Sequence, residues 1–192
     1  NNYVLAYSIL LIGLFSILEF SKITRIIFKK NKLKQFLINL IFIFYIFSFS
    51  VGFVALSFYA YLKILIFLFL LISLASDIGG FIFGKIFKGP KLTKISPKKT
   101  ISGAVGSLIL SSLISLVLIY YLTKEIDLYI LIVGFIISIS CQIGDLFFSF
   151  LKRKSFLEDT GSYLPGHGGI LDRIDGILLG IPIGLLTILI IY

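Results

Sequence analysis

The sequence predicts an all-α, polytopic transmembrane bundle of about six spans, with the functional residues in loops and helix ends on one face. Three observations lead there. The 192 residues are 58% hydrophobic and only 14% charged, where a soluble domain runs at about half apolar and about a quarter charged. The apolar residues form long unbroken runs rather than amphipathic stripes, and the mean hydropathy is +1.10. The positive charges fall between those runs, not within them.

A bilayer-crossing helix needs about 20 mostly apolar residues. Runs of that size lie at about 3–20, 36–56, 62–83, 101–122, 128–151 and 174–192. The break between the second and third runs, from Gly52 to Lys63, is the weakest. Three basic loops follow from this division. The first carries Lys22, Arg25, Lys29, Lys30, Lys32 and Lys34; the second Lys85, Lys88, Lys91, Lys94, Lys98 and Lys99; the third Lys152, Arg153, Lys154 and Arg173. An even number of spans separates each loop from the next, so all three share a face. The opposite face holds only Lys63 and Lys124, the latter beside Glu125 and Asp127. The positive-inside rule puts the basic loops in the cytosol and the amino terminus on the other side.

The chain reads as a single integral membrane domain over 1–192. The net charge of +9 is better explained by orientation and anionic headgroups than by nucleic acid, so no nucleic-acid partner is expected. The stretch 3–20 is too long and too evenly apolar for a cleaved leader. The sequence contains no Met, and the expectation is that it lacks part of the native amino terminus. The single Cys, Cys141, lies in an apolar run and reads as a packed helix residue.

Charged residues inside spans are costly and mark polar cavities or partners. Asp77 lies in Ser76-Asp77-Ile78-Gly79-Gly80 with Gly84 beyond, and Asp145 in Gln142-Ile143-Gly144-Asp145. For each, a packing ion pair with a lysine is the plain alternative to a functional role. The richest segment is Pro165-Gly166-His167-Gly168-Gly169-Ile170-Leu171-Asp172-Arg173-Ile174-Asp175. A glycine-rich turn opening a helix lets backbone amides converge on phosphate oxygens. Asp172 and Asp175 share one helical face, and paired carboxylates suit Mg²⁺. Arg173, Lys152 and Arg153 can neutralise phosphate. His167, the only His, is either an acid–base group or a turn-capping residue. In Ser96-Pro97-Lys98-Lys99-Thr100, Thr100 or Ser102 can cap the next helix. Lys98 and Lys99 can hold phosphate or simply meet the lipid surface. Metal, positive clamp and backbone donors are the parts that phosphoryl or nucleotidyl transfer uses.

These residues carry a resemblance. Lys152-Arg153, then Asp159, then Leu164-Pro165-Gly166-His167-Gly168-Gly169-Ile170-Leu171-Asp172-Arg173-Ile174-Asp175 resembles the signature of phosphatidate cytidylyltransferases, also called CDP-diacylglycerol synthases. The Ser76-Asp77 helix with Gly84, the 96–100 loop and Gly144-Asp145-Leu146 are similar to that family in the same order. The resemblance covers roughly 60–182, the expected catalytic region. It implies conversion of CTP and phosphatidic acid to CDP-diacylglycerol and diphosphate, for phospholipid biosynthesis. It also implies a bacterial inner membrane location with the active site facing the cytosol. The cofactor it implies is Mg²⁺, with a second cation as an option. The partners are CTP, phosphatidic acid and membrane lipids, with a homodimer as a further expectation.

Carried over position by position, the catalytic residues would be Asp145, Asp172, Asp175, His167, Lys152 and Arg153. The substrate-binding residues would be Ser96, Lys98, Lys99, Thr100, Gly166, Gly168, Gly169 and Arg173. The metal ligands would be Asp145, Asp172, Asp175 and Asp77. Two positions depart from the family pattern. Glu158 stands where Lys is usual before Asp159, which reverses a charge and leaves Lys154 as its substitute. Ser102 stands where Glu is frequent. The rival readings are another CTP-dependent lipid enzyme, such as a polyprenol or phytol kinase or a CDP-archaeol synthase, or an inactive membrane scaffold. A CDP-alcohol phosphotransferase is disfavoured because its Asp-Gly-x-x-Ala-Arg element is missing from the sequence. A transporter is disfavoured because Asp77 and Asp145 lie close to the cytosolic edge.

Overall fold

Apolar runs with no water to satisfy their amides must bond internally, and helices are the local solution. The computed structural model describes residues 2–161 and 168–191. Six helices account for most of them: α1 (Asn2–Ile27), α2 (Lys32–Ser57), α3 (Ala60–Phe87), α4 (Ile101–Thr123), α5 (Tyr129–Lys154) and α6 (Leu171–Ile191). Each is long and apolar enough to cross a membrane. Their number and order are those of the six predicted runs, and the protein is an integral membrane protein. Among the described residues there is no strand; Lys91 and Thr100 form an isolated antiparallel bridge.

The helices outrun the apolar segments at several ends. α1 continues through Lys22 and Arg25, and α3 through Lys85. α6 begins at Leu171, so Asp172 and Arg173 lie in its first turn rather than before it. The caps explain several boundaries. Asn31 caps α2, its side chain accepting from the Lys34 amide at 2.9 Å. Thr100, one of the two caps the sequence offers with Ser102, caps α4, its hydroxyl accepting from the Gly103 amide at 3.1 Å. Lys124 closes α4 in the left-handed conformation with φ 62°, its amide bonded to Tyr120 O at 2.8 Å.

The chain divides into two compact units. One comprises Asn1–Lys63 and Phe148–Ile174; the other comprises Ile64–Phe147 and Asp175–Tyr192. In the first unit aromatic rings lock the helices: Phe20 stacks on Phe42 with centroids 3.8 Å apart, and Phe42 meets Phe148 edge-on at 6.4 Å. The Thr24 hydroxyl donates to Asn39 Oδ1 at 2.7 Å, joining α1 to α2.

The second unit packs on small residues, which let helix backbones approach closely in lipid. A Cβ at Gly79 would stand 2.6 Å from the Gly106 carbonyl oxygen, so α3 and α4 touch at a spot that admits no side chain. Serines add polar ties: Ser107 Oγ donates to Ser76 O at 2.7 Å, and the Ser76 and Ser138 hydroxyls are 2.7 Å apart. Phe69, Ile72, Val133 and Ile137 are fully buried in this unit. Cys141 is free and buried, as its apolar run predicts. Large apolar side chains such as Phe67, Ile132 and Leu189 point outward, the surface expected of a chain solvated by lipid.

Candidate functional site

In the second unit, the 88–100 loop folds back on itself before α4. Leu92 N donates to Lys99 O at 2.8 Å, Lys99 N to Ser96 O at 3.1 Å, and Ile101 N to Pro90 O at 3.0 Å. The Ser102 hydroxyl bonds the Lys88 carbonyl and lies 3.1 Å from the Thr100 hydroxyl. These bonds turn a lysine-rich connection into an ordered wall.

That wall faces a cavity of about 420 Å³ lined, among others, by Asp77, Ser96, Lys98, Lys99, Thr100 and Asp145. The volume falls within the ~300–1,000 Å³ typical of small-molecule sites. Lys99 Nζ reaches across to Asp145 Oδ2 at 2.6 Å, with the two side chains 32% and 22% exposed. Gln142 also lines the cavity and donates from Nε2 to Ala104 O at 3.3 Å. Asp145 itself sits where α5 meets α6. A Cβ at Gly144 would stand 2.5 Å from Asp175 O, and one at Gly176 would stand 3.1 Å from Asp145 Oδ1. Asp175 turns one carboxylate oxygen back to the Gly176 amide at 2.9 Å.

The first unit holds a different cluster. Lys152, at the end of α5, pairs with Asp172 Oδ1 at 2.6 Å, and the two side chains are 17% and 11% exposed. Asp172 Oδ2 accepts from Thr160 N at 2.8 Å, Thr160 Oγ1 at 2.9 Å and Gly169 N at 3.2 Å. Gly168 has φ +80°, and a Cβ there would stand 3.1 Å from Asp159 Cγ. Arg153 and Arg173 are exposed. Glu158 is exposed too, and Lys154 lies over the Phe28 and Phe150 rings at 5.9 and 5.7 Å. Gly166 and His167 lie outside the described residues.

Nine of the expected site residues fall into two groups, and Arg153, Gly168, Arg173 and Asp175 belong to neither. Asp77, Ser96, Lys98, Lys99, Thr100 and Asp145 surround one cavity, and Lys152, Gly169 and Asp172 form one bonded cluster. Three further polar side chains, Glu19, Thr160 and Gln142, stand outside the predicted set. Glu19 had a sequence signal, as the one acid in its apolar run. Among the described residues, no group of three or more His, Cys, Asp or Glu side chains converges as a ready-made metal cage. The cavity wall nonetheless suits Mg²⁺, which takes one or two carboxylates and completes its shell with phosphate and water oxygens. Asp77 and Asp145 supply carboxylates there, and Gln142, Ser96 and Thr100 supply neutral oxygens.

The profile of the cytidylyltransferase family matches residues 2–191. The phosphatidate cytidylyltransferase of Rickettsia felis is 41% identical over 129 residues, covering 62% of this chain and 56% of the relative. Its counterpart from Staphylococcus saprophyticus is 43% identical over 132 residues, covering 68% and 50%. That of Staphylococcus haemolyticus is 42% identical over 118 residues, covering 60% and 45%. The chain spans about half the length of the curated relatives it matches. With the match running over nearly all of its residues, the chain belongs to the cytidylyltransferase family.

Proposed function

We propose that the chain transfers the cytidylyl group of CTP to phosphatidate, giving CDP-diacylglycerol and diphosphate, at the cytosolic face of a bacterial inner membrane. The observation that carries this reading is the cavity that sets lysines Lys98 and Lys99 against carboxylates Asp77 and Asp145 in an integral membrane protein. The names of the relatives supply the substrates. The three basic loops supply the orientation.

In the proposed reaction an oxygen of the phosphatidate phosphate attacks the α-phosphorus of CTP in line. The bond from that phosphorus to the β-phosphate bridging oxygen breaks, and diphosphate leaves with the electron pair. Lys98 and Lys99 neutralise the triphosphate and the leaving diphosphate, where preorganised positive charge is worth most. Ser96 and Thr100 donate hydroxyl hydrogen bonds at the same wall. Asp145 orients Lys99, and its release from that lysine accompanies nucleotide entry. Asp77 and Asp145 would hold Mg²⁺ at the cavity, while Asp172, whose oxygens are taken by Lys152, Thr160 and Gly169, would act by position. When bound, Mg²⁺ supplies charge neutralisation on the triphosphate. The acyl chains stay in the bilayer while the headgroup reaches the cytosolic edge.

The test uses purified protein in detergent with phosphatidate, Mg²⁺ and CTP labelled at the α-phosphorus. Labelled CDP-diacylglycerol is the expected product. Asp145→Asn is expected to lower the rate by ~10²- to 10³-fold, the scale of losing one preorganised electrostatic group. A wild type that forms no labelled lipid, or an Asp145→Asn variant with the wild-type rate, contradicts the proposal.

A further inference from the structure

Glu19 belongs to none of the motifs above, yet it is a fully buried carboxylate inside an apolar helix. Such a group is costly unless its oxygens are bonded. Oε1 accepts from the Ile170 amide at 3.0 Å; Oε2 accepts from the Leu171 amide at 2.8 Å and from the Thr160 hydroxyl at 2.9 Å. The amides at a helix start lack intrahelical partners, and the positive end of the helix dipole favours an anion there. α1 therefore supplies the group that satisfies the start of α6, 151 positions along the chain from Ile170.

The surroundings are shaped to this carboxylate. A Cβ at Gly169 would stand 2.6 Å from Glu19 Oε2 and would collide with Thr160 Oγ1, and one at Gly161 would collide with Glu19 Oε1. Thr160 then passes the connection on. Its single hydroxyl proton is shared between Glu19 Oε2 and Asp172 Oδ2, each 2.9 Å away, and the other oxygen of Asp172 holds Lys152 at 2.6 Å. Glu19, Thr160, Asp172 and Lys152 form one continuous chain of bonds.

We propose that Glu19 is a positioning residue for the transfer reaction, holding Thr160, Asp172 and Lys152 in their working geometry from a helix outside the motifs. The inference rests on the cytidylyl-transfer reading. Glu19 contacts neither substrate nor metal in this account. It sets the angle at which Asp172 and Lys152 leave the α6 start and the α5 end. Gln has the same shape, but its amide nitrogen must face an N–H group where the carboxylate accepted one.

The experiment compares wild type with Glu19→Gln for kcat, KM for CTP, thermal midpoint in detergent, and hydrogen exchange at Ile170 and Leu171. Glu19→Gln is expected to lower kcat by about 10- to 100-fold, the scale of a small misplacement of reacting groups. KM for CTP is expected to stay within about twofold, because uniform binding at the cavity is untouched. A purely structural role would lower the thermal midpoint and leave kcat of the folded fraction intact; that result overturns the inference. If Glu19→Gln does not fold, Thr160→Val, which removes only the hydroxyl link, carries the same expectation for kcat, and an unchanged kcat there overturns it. If the wild type makes no CDP-diacylglycerol, the proposed function fails on its own. Exchange then decides the positioning: about tenfold faster exchange of the two amides in Glu19→Gln supports it, and wild-type protection overturns it.

Discussion

Around Asp172 both carboxylate oxygens already have protein donors, and the pair with Lys152 is mostly buried. Around the cavity the Lys99–Asp145 pair is about twice as exposed, and Asp77 is exposed as well. The residue types are the same, lysine and aspartate, at the same 2.6 Å separation. The difference is in what else each charge touches. A carboxylate saturated by Thr160 and Gly169 amides has little left to offer a ligand, so its strength goes into geometry. A carboxylate held by one lysine at the wall of an open cavity can exchange that lysine for a metal or let it turn to a phosphate. One cluster reads as a rigidly held set whose contribution is its geometry, and the other as the place where a ligand arrives. Among the described residues, no buried side-chain nitrogen or oxygen lacks a partner, so the contrast reflects openness and not unfinished bonding.

That contrast breaks most directly at Lys152. Lys152→Met leaves Asp172 with neutral donors only, and removing one partner of a mostly buried pair is expected to cost about 3 kcal/mol of stability. Thermal or denaturant unfolding in detergent measures it; a variant as stable as wild type would mean the cluster is not the rigidly held set described. Thr100→Ala comes next. It removes the α4 cap at the cavity wall and is expected to cost about 1 kcal/mol, with Thr100→Ser recovering most of it. Lys99→Met is expected to cost least, under about 1 kcal/mol, because a partly exposed pair contributes little to folding. Equal losses for Lys99→Met and Lys152→Met would erase the distinction between the two clusters.

Much of the fold was legible because lipid simplifies the reading. Length and apolarity identify a span without any need for amphipathic period, and the lysine distribution orders the spans, so six helices could be read directly. The Thr100 cap was legible because a cap is local: hydroxyl, then glycine amide, within one turn. The pairing of Lys99 with Asp145 was not, because six lysines in the second basic loop are equivalent on paper. Only the bonds folding 90–101 back on itself decide which one reaches α5. What holds the start of α6 was also hidden. Its first amides are satisfied by Glu19, and no local rule connects position 19 to position 170. Of the glycines that admit this contact, Gly169 reads in sequence as a phosphate-loop residue and Gly161 belongs to none of the motifs. Gly169 donates its amide to Asp172, and both glycines leave room for Glu19.

The central claim is that the cavity of Asp77, Asp145, Lys98 and Lys99 receives the nucleotide. Equilibrium binding of labelled CTP with Mg²⁺ to the purified wild type, Lys99→Met and Lys152→Met tests it most directly. Lys99→Met is expected to weaken binding by about tenfold, the scale of one charge-assisted contact, while folded Lys152→Met stays within about threefold of wild type, a difference worth less than one such contact. CTP binding that is indifferent to Lys99 and falls with Lys152 would contradict it.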